Sequence, residues 1–165
     1  MNDRISHAQL LAEFSYNPEE GIFCRLVRAG RIQPGPIENV PTGMGYVYIA
    51  IHNRKYFAHR LAWFYVHGVW PKEQIDHVNG DKTDNRFCNL REATHQQNSG
   101  NKKAYKNNSS GVKGVAWDAS RELWMAYVVT NRKMKNLGRY SRFEDAVAVR
   151  TEAARARDGE FFRAK

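Results

Sequence analysis

Apolar and polar positions along the chain switch between a helical and a strand period, and the switches mark its elements. In SHAQLLAEF (6–14), Leu10, Leu11 and Phe14 follow Ser6 and Gln9 in capping-box spacing, which predicts a short helix. GIFCRLV (21–27) reads as a strand, and GRIQPGPIENVPTG (30–43), dense in Pro and Gly, as loop. YVYIAI and KYFA flank HNR and predict a β-hairpin around 46–58. HRLAWFYVHG places Leu61, Ala62, Phe64, Tyr65 and Val66 before Gly68, the pattern of a buried helix over 59–67. A polar stretch follows, IDHVNGDKTDNRFCNLREATHQQN (75–98), and then SGNKKAYKNNSSG (99–111), the best linker candidate. Beyond it, GVKGVAW, LWMAYVVT and KMKNLGRY predict three short strands. SRFEDAVAVRTEAARARDG predicts a helix across them, opened by Ser141 and Glu144 in capping-box spacing and ended by Gly159.

Composition narrows the class. The chain has 165 residues, enough for one domain or two small ones. Mean hydropathy is -0.69, and no run approaches the roughly 18 apolar residues of a membrane span. MNDRISHAQLL lacks the basic start and apolar stretch of a signal peptide, so a cytoplasmic protein with no membrane partner is expected. Cys24 and Cys88 stand apart with no CxxC, so structural zinc is not expected and both read as buried or half-buried thiols. The net charge of +9 is uneven, from -1 over 1–53 to +4 over 54–103 and +6 over 104–165. A polyanion is the natural partner, because Lys and Arg that neutralise phosphates release counterions.

The polar stretch carries the candidate chemistry. It reads as strand, loop, strand and helix, with turns at Val78-Asn79-Gly80-Asp81 and Asp84-Asn85, a strand from Asn89 and a helix capped by Thr94. Asp76 and Asn98 would then face each other across the sheet–helix junction with His77 beside them. A carboxylate and an amide oxygen form a hard donor set that suits Mg²⁺, with Mn²⁺ as a substitute. A neighbouring imidazole takes a proton from water near neutral pH. Metal, base and phosphate together make phosphodiester hydrolysis. Asn, Asp and Gly are also turn formers, so on spacing alone a long loop is the better reading.

AHRLAWFYVHGVWPKEQIDHVNGDKTDNRFCNLREATHQQN resembles the HNH endonucleases of phage and homing-type elements over about residues 55–102. The shared motif is I-D-H-x-N-G-D-x-x-D-N-R-x-x-N-L-R-x-A-T-x-x-x-N. The resemblance implies a ββα-metal fold, with His77 as general base and Asp76 and Asn98 as metal ligands. It implies that Asn89 holds the loop and helps orient His77. Arg60 is a candidate phosphate contact. In phage or bacterial cells such a protein would leave 5′-phosphate and 3′-hydroxyl ends, nicking as a monomer or cutting both strands as a weak homodimer.

Residues 109–161 resemble the APETALA or ethylene-response-factor DNA-binding domain, through S-G-V-K-G-V-x-W, Trp124, L-G-x-Y and F-E-D-A-V-A-V-R. The resemblance implies a three-stranded sheet in the major groove of duplex DNA, with Lys113, Trp117, Arg121, Trp124, Lys133, Lys135 and Arg139 as contacts. Core packing is the competing role for the two Trp. The expected fold is therefore α+β. A β-rich lead-in and ββα-metal nuclease domain cover 1–102, a linker 103–108, and a three-stranded antiparallel sheet with one helix 109–165. The expected function is a metal-dependent DNA endonuclease. The alternatives are a non-catalytic DNA-binding regulator on an HNH scaffold, or an RNA-directed protein, which the narrow A-form groove disfavours.

Overall fold

A computed structural model describes residues 5–101, 108–130 and 133–162. The chain divides into two compact units, 1–93 and 94–165. Among the described residues the architecture is mixed, with several small antiparallel sheets and four α-helices. No described helix is long and apolar enough to cross a membrane.

In the first unit, α1 (His7–Glu13) starts at the expected capping box, with Ser6 Oγ accepting from Gln9 N at 3.2 Å and Ser6 N donating to Gln9 Oε1 at 3.0 Å. Phe14 leaves the helix and opens β1 (Phe14–Asn17). β1, β2 (Ile22–Arg25) and β3 (Gly35–Ile37) form one antiparallel sheet in that order. β1 was hidden behind the helical run and β3 inside the Pro–Gly stretch. The predicted hairpin is β4 (Tyr48–Ile51) and β5 (Arg54–Phe57), turned by His52 and Asn53 with φ of 47° and 61°. A two-residue hairpin turn of this hand needs positive φ at both positions, and Asn tolerates it. α2 (Ala58–His67) ends on Gly68 in the left-handed region. Leu10, Phe14, Phe23, Val47, Ile51 and Leu61 are essentially without exposure and form the heart of this core. Each such side chain contributes about 1.5–3 kcal/mol by leaving water. Packed on this core are β6 (Gln74–His77), a 3-10 turn at Phe87–Asn89 and β7 (Leu90–Ala93). Cys24 is half-buried, but Cys88, in the 3-10 turn, is exposed rather than buried.

The second unit opens with α3 (His95–Asn101), capped as expected by Thr94, whose Oγ1 accepts from Gln97 N at 3.3 Å while its N donates to Gln97 Oε1 at 2.8 Å. The division falls before α3, not after it, because α3 packs on α4 and its Gly100 carbonyl accepts from Lys113 Nζ at 2.7 Å. The linker expected at 103–108 lies, apart from Asn108, outside the described residues. β8 (Val115–Asp118), β9 (Leu123–Thr130) and β10 (Lys133–Tyr140) form the expected antiparallel sheet with β9 central. A register shift between Asn136 and Gly138 turns Leu137 into the core under α4 (Phe143–Asp158). Ser141 does not cap this helix. Arg142 holds the cap position with no side-chain bond, while Glu144 and Asp145 face the positive end of the helix dipole.

Candidate active site

β6 and β7 pair antiparallel with Asp76 opposite Arg91 and His77 opposite Leu90. Asp76 and His77 are each about 4% exposed. The Asp76 carboxylate is held across the strands by Arg91, whose Nε and Nη2 donate to Oδ2 at 3.1 and 3.0 Å. A cross-strand partner of opposite charge offsets the cost of burying a carboxylate.

The loop from 78 to 88 is held from inside. Asn89 Oδ1 accepts from Asn79 N at 2.9 Å, and its Nδ2 donates to Asp84 O at 2.8 Å and Asn79 Oδ1 at 3.0 Å. Asp81 caps Thr83, and Asp84 takes the Arg86 fork, which holds its pKa down at about 2. Asn89 therefore pins the loop, but the residue that touches His77 is Asn85. Its Oδ1 lies 3.4 Å from His77 Nε2. Asn85 Nδ2 donates to Thr83 O at 3.1 Å, so the amide can turn only its acceptor toward the ring. His77 Nε2 must then carry the proton, and Nδ1 is the basic nitrogen. Either neutral tautomer leaves one basic ring nitrogen, which is what a general base needs.

Burial pushes the His77 pKa below 6.5, against the raising effects of the Asn85 bond and of Asp76, Asp81 and Asp84. Beside it, His59 at the start of α2 packs edge-on, ring centroids 5.0 Å apart, and Tyr46 lies against both rings. His59 is 5% exposed and its Nδ1 has no hydrogen-bond partner. Burial, then the His77 and Arg60 charges, lower its pKa to about 3. This ring was not legible beforehand, because a His opening an apolar helix looks like any helix start.

One consequence is a pH dependence of stability. Above pH 6.5 His59 is neutral folded and unfolded alike. Between pH 6.5 and about 3 the unfolded chain binds a proton that the folded chain refuses, so stability falls as pH falls, by up to about 1.4 kcal/mol per unit. His59→Phe is expected to flatten the loss of Tm between pH 6.5 and 4, read by thermal denaturation across pH. Parallel curves for variant and wild type would refute it.

The N-terminal sheet reaches this loop directly. Tyr16 Oη on β1 donates to Asn85 O at 2.6 Å, and Pro18 O accepts from Phe87 N at 2.8 Å. The lead-in is thus a brace for the segment that holds His77. Arg60, expected as a phosphate contact, donates from Nη1 and Nη2 to the carbonyls of Glu73 and Pro71, both at 3.1 Å. It also lines a cavity of about 370 Å³ with Arg54, Lys55, Tyr56, Phe57 and Trp70.

Asn98 lies on α3, in the second unit, its N–H donating to Thr94 O at 3.0 Å. The Asp76 carboxylate, in the first unit, is a hard oxygen donor of the kind a Mg²⁺-type ion takes alongside most of its waters. No group of three or more His, Cys, Asp or Glu suited to a metal gathers among the described residues.

The C-terminal candidates do not share one surface. Trp117 and Trp124 are register partners with rings 5.1 Å apart, and Trp124 packs on Phe143 of α4 as part of the core. Trp117 is 46% exposed at the sheet edge. Lys133 and Lys135 pair with Thr130 and Val128, on the side of the sheet that Trp124 shares. Arg139 pairs with Met125 on the opposite side, where its Nε donates to Asp118 Oδ2 at 2.9 Å. Arg121 joins the same carboxylate at 3.2 Å. Lys113 is the residue that holds Gly100.

The family described as HNH endonuclease matches residues 56–99, from β5 into α3, and this match supports an HNH nuclease. The chain is also similar to Protein 3.8 of Escherichia phage T7, 38% identical over 79 residues, which are 47% of this chain and 65% of that protein. The chain thus spans less than two thirds of that relative's length. No solved structure matches the chain.

Proposed function

We propose that the chain is a divalent-metal-dependent endonuclease that hydrolyses a phosphodiester bond of duplex DNA. The observation that carries this reading is the buried His77, fixed by Asn85 as the tautomer with a basic Nδ1, directly after the Asp76 carboxylate within the HNH-matched segment. His77 takes a proton from a water aligned with the scissile bond. The oxygen attacks phosphorus, the bond to the 3′ oxygen breaks, and solvent protonates that oxygen, leaving 5′-phosphate and 3′-hydroxyl ends. Asp76 and Asn98 would hold the cation, whose chemistry is to neutralise charge on the leaving oxygen. Asn89 keeps the loop closed behind the base. A single site per chain makes a nick the simplest outcome.

The duplex is proposed to be held at two places. The Arg54–Lys55–Arg60 cavity, walled by Tyr56 and Trp70, combines cations with aromatic faces, as nucleic-acid grooves do. The C-terminal unit supplies Arg121 and Arg139, which meet at Asp118 on one side of its sheet. Its surface ion pairs with Asp118 are weak enough to exchange for phosphate.

A specific observation favours the second reading, a DNA-binding regulator on an HNH scaffold. The carboxylate named as a metal ligand already has Arg91 as its counter-ion. Supercoiled plasmid with Mg²⁺, Mn²⁺ or chelator separates the two. A nuclease converts it to open circles with either metal and not with chelator. DNA binding without conversion under any condition would decide for the regulator.

A further inference from the structure

The Asp76 carboxylate already carries a cation of the protein's own. Asp76 on β6 and Arg91 on β7 are register partners, so their side chains share one face of the hairpin. Arg91 Nε and Nη2 converge on a single oxygen, Oδ2, at 3.1 and 3.0 Å. The pair is sheltered, with side-chain exposures of 5% for Asp76 and 16% for Arg91. Shelter separates it from a surface ion pair. Solvent screens little there, so a second positive charge arriving at the same carboxylate is strongly repelled by the first.

A Mg²⁺-type ion binds a carboxylate through an oxygen lone pair at ~2.0–2.1 Å. Two N–H donors on Oδ2 occupy the electrons such an ion would use there. An ion on the other oxygen of the same group would still sit close to a guanidinium that cannot lose its charge. Competition for lone pairs and repulsion between like charges act in the same direction. The more exposed partner, Arg91, is the one with a path back to water.

We propose, resting on the reading of Asp76 as a metal ligand, that Arg91 is a built-in competitor of the divalent cation. It neutralises Asp76 while no such ion is bound, and it sets the metal concentration at which the site loads. Arg91 acts through Asp76 and is a positioning residue. The contact that favours a non-catalytic scaffold is, on this view, a loading threshold.

Mn²⁺ alone is titrated into the full chain at about pH 8, above the ordinary carboxylate range. Binding is read from loss of the free-ion electron paramagnetic resonance signal and from Tm. Arg91→Met is expected to bind Mn²⁺ about ten-fold more tightly than wild type, or better. Its metal-free Tm is expected to fall, because a buried carboxylate has lost its counter-charge, and Mn²⁺ should raise that Tm by more than it raises wild type. Arg91→Gln keeps an N–H for Asp76 without the charge. It should shift affinity the same way, and it carries the test if Arg91→Met does not fold. In an Asp76→Asn background the Arg91 substitutions should leave Mn²⁺ binding unchanged, which assigns the gain to this carboxylate. Loss of a residue that merely props up the hairpin would weaken metal binding, never tighten it. Tighter binding by the variants, whether or not wild type binds detectably, supports the proposal. A gain that survives Asp76→Asn overturns it. Wild type that binds Mn²⁺ with variants equal or weaker overturns it and leaves the nuclease reading standing. No binding by wild type or by either variant overturns both.

Discussion

His77→Ala is expected to lower DNA cleavage by about 10²–10⁴-fold while DNA binding and folding persist. The ring sits on top of a loop that Asn89, Asp81 and Asp84 hold through bonds of their own, so its loss removes the base without releasing the loop. The pH profile of the wild type carries the same argument. The base works only when neutral, and burial lowers its pKa, so cleavage should hold below pH 6.5 before its acid limb falls. Single-turnover rates on a nicked-circle assay measure both. A variant within a few-fold of wild type would remove His77 from the chemistry. An acid limb above pH 6.5 would mean that a different group sets the protonation state.

How much of this was legible in the sequence depended on whether the signal was local. The capping boxes at Ser6 and Thr94, the His52-Asn53 hairpin turn and the strands of the C-terminal sheet are short-range, and each stands where its residues put it. β1 was not legible because Phe14 serves both as the helix's last apolar residue and as the strand's first. The capping spacing at Ser141 was misleading, because the cap position falls one residue later, on Arg142, and α4 starts at Phe143. In the site, Asp76 and His77 stood out in the polar stretch and Asn89 through the resemblance to HNH endonucleases, but the contact of Asn85 with His77 could not be read from either. It depends on Tyr16, far away in sequence, fixing the Asn85 backbone, and on Thr83 fixing the direction of its amide. His59 and Arg150 escaped for a related reason. Each is a polar residue on an apolar helix face, and only the packed structure shows that its nitrogens lack partners.

The same long-range brace predicts the largest effect on stability, at a residue far from the chemistry in sequence. Gly21, in the turn after β1, has φ 71°, and a Cβ there would lie 2.3 Å from Arg86 N and 2.4 Å from Asn85 C. Backbone cannot rotate away as a side-chain tip can. Gly21→Ala therefore adds a clash to the roughly 1–2 kcal/mol that any L residue pays in the left-handed region. Gly30 is the control, with φ 60° and nothing within 4 Å of its added Cβ, so Gly30→Ala carries the conformational cost alone. Gly21→Ala is expected to lower Tm well beyond Gly30→Ala. It should also lower cleavage per folded molecule, because the displaced Asn85 is the residue that sets the His77 tautomer. Denaturation of both variants, with cleavage rates measured below their transitions, tests the coupling. Equal losses of Tm would show that the loop moves aside freely. Normal cleavage by folded Gly21→Ala would show that the hold on His77 does not run through the Asn85 backbone.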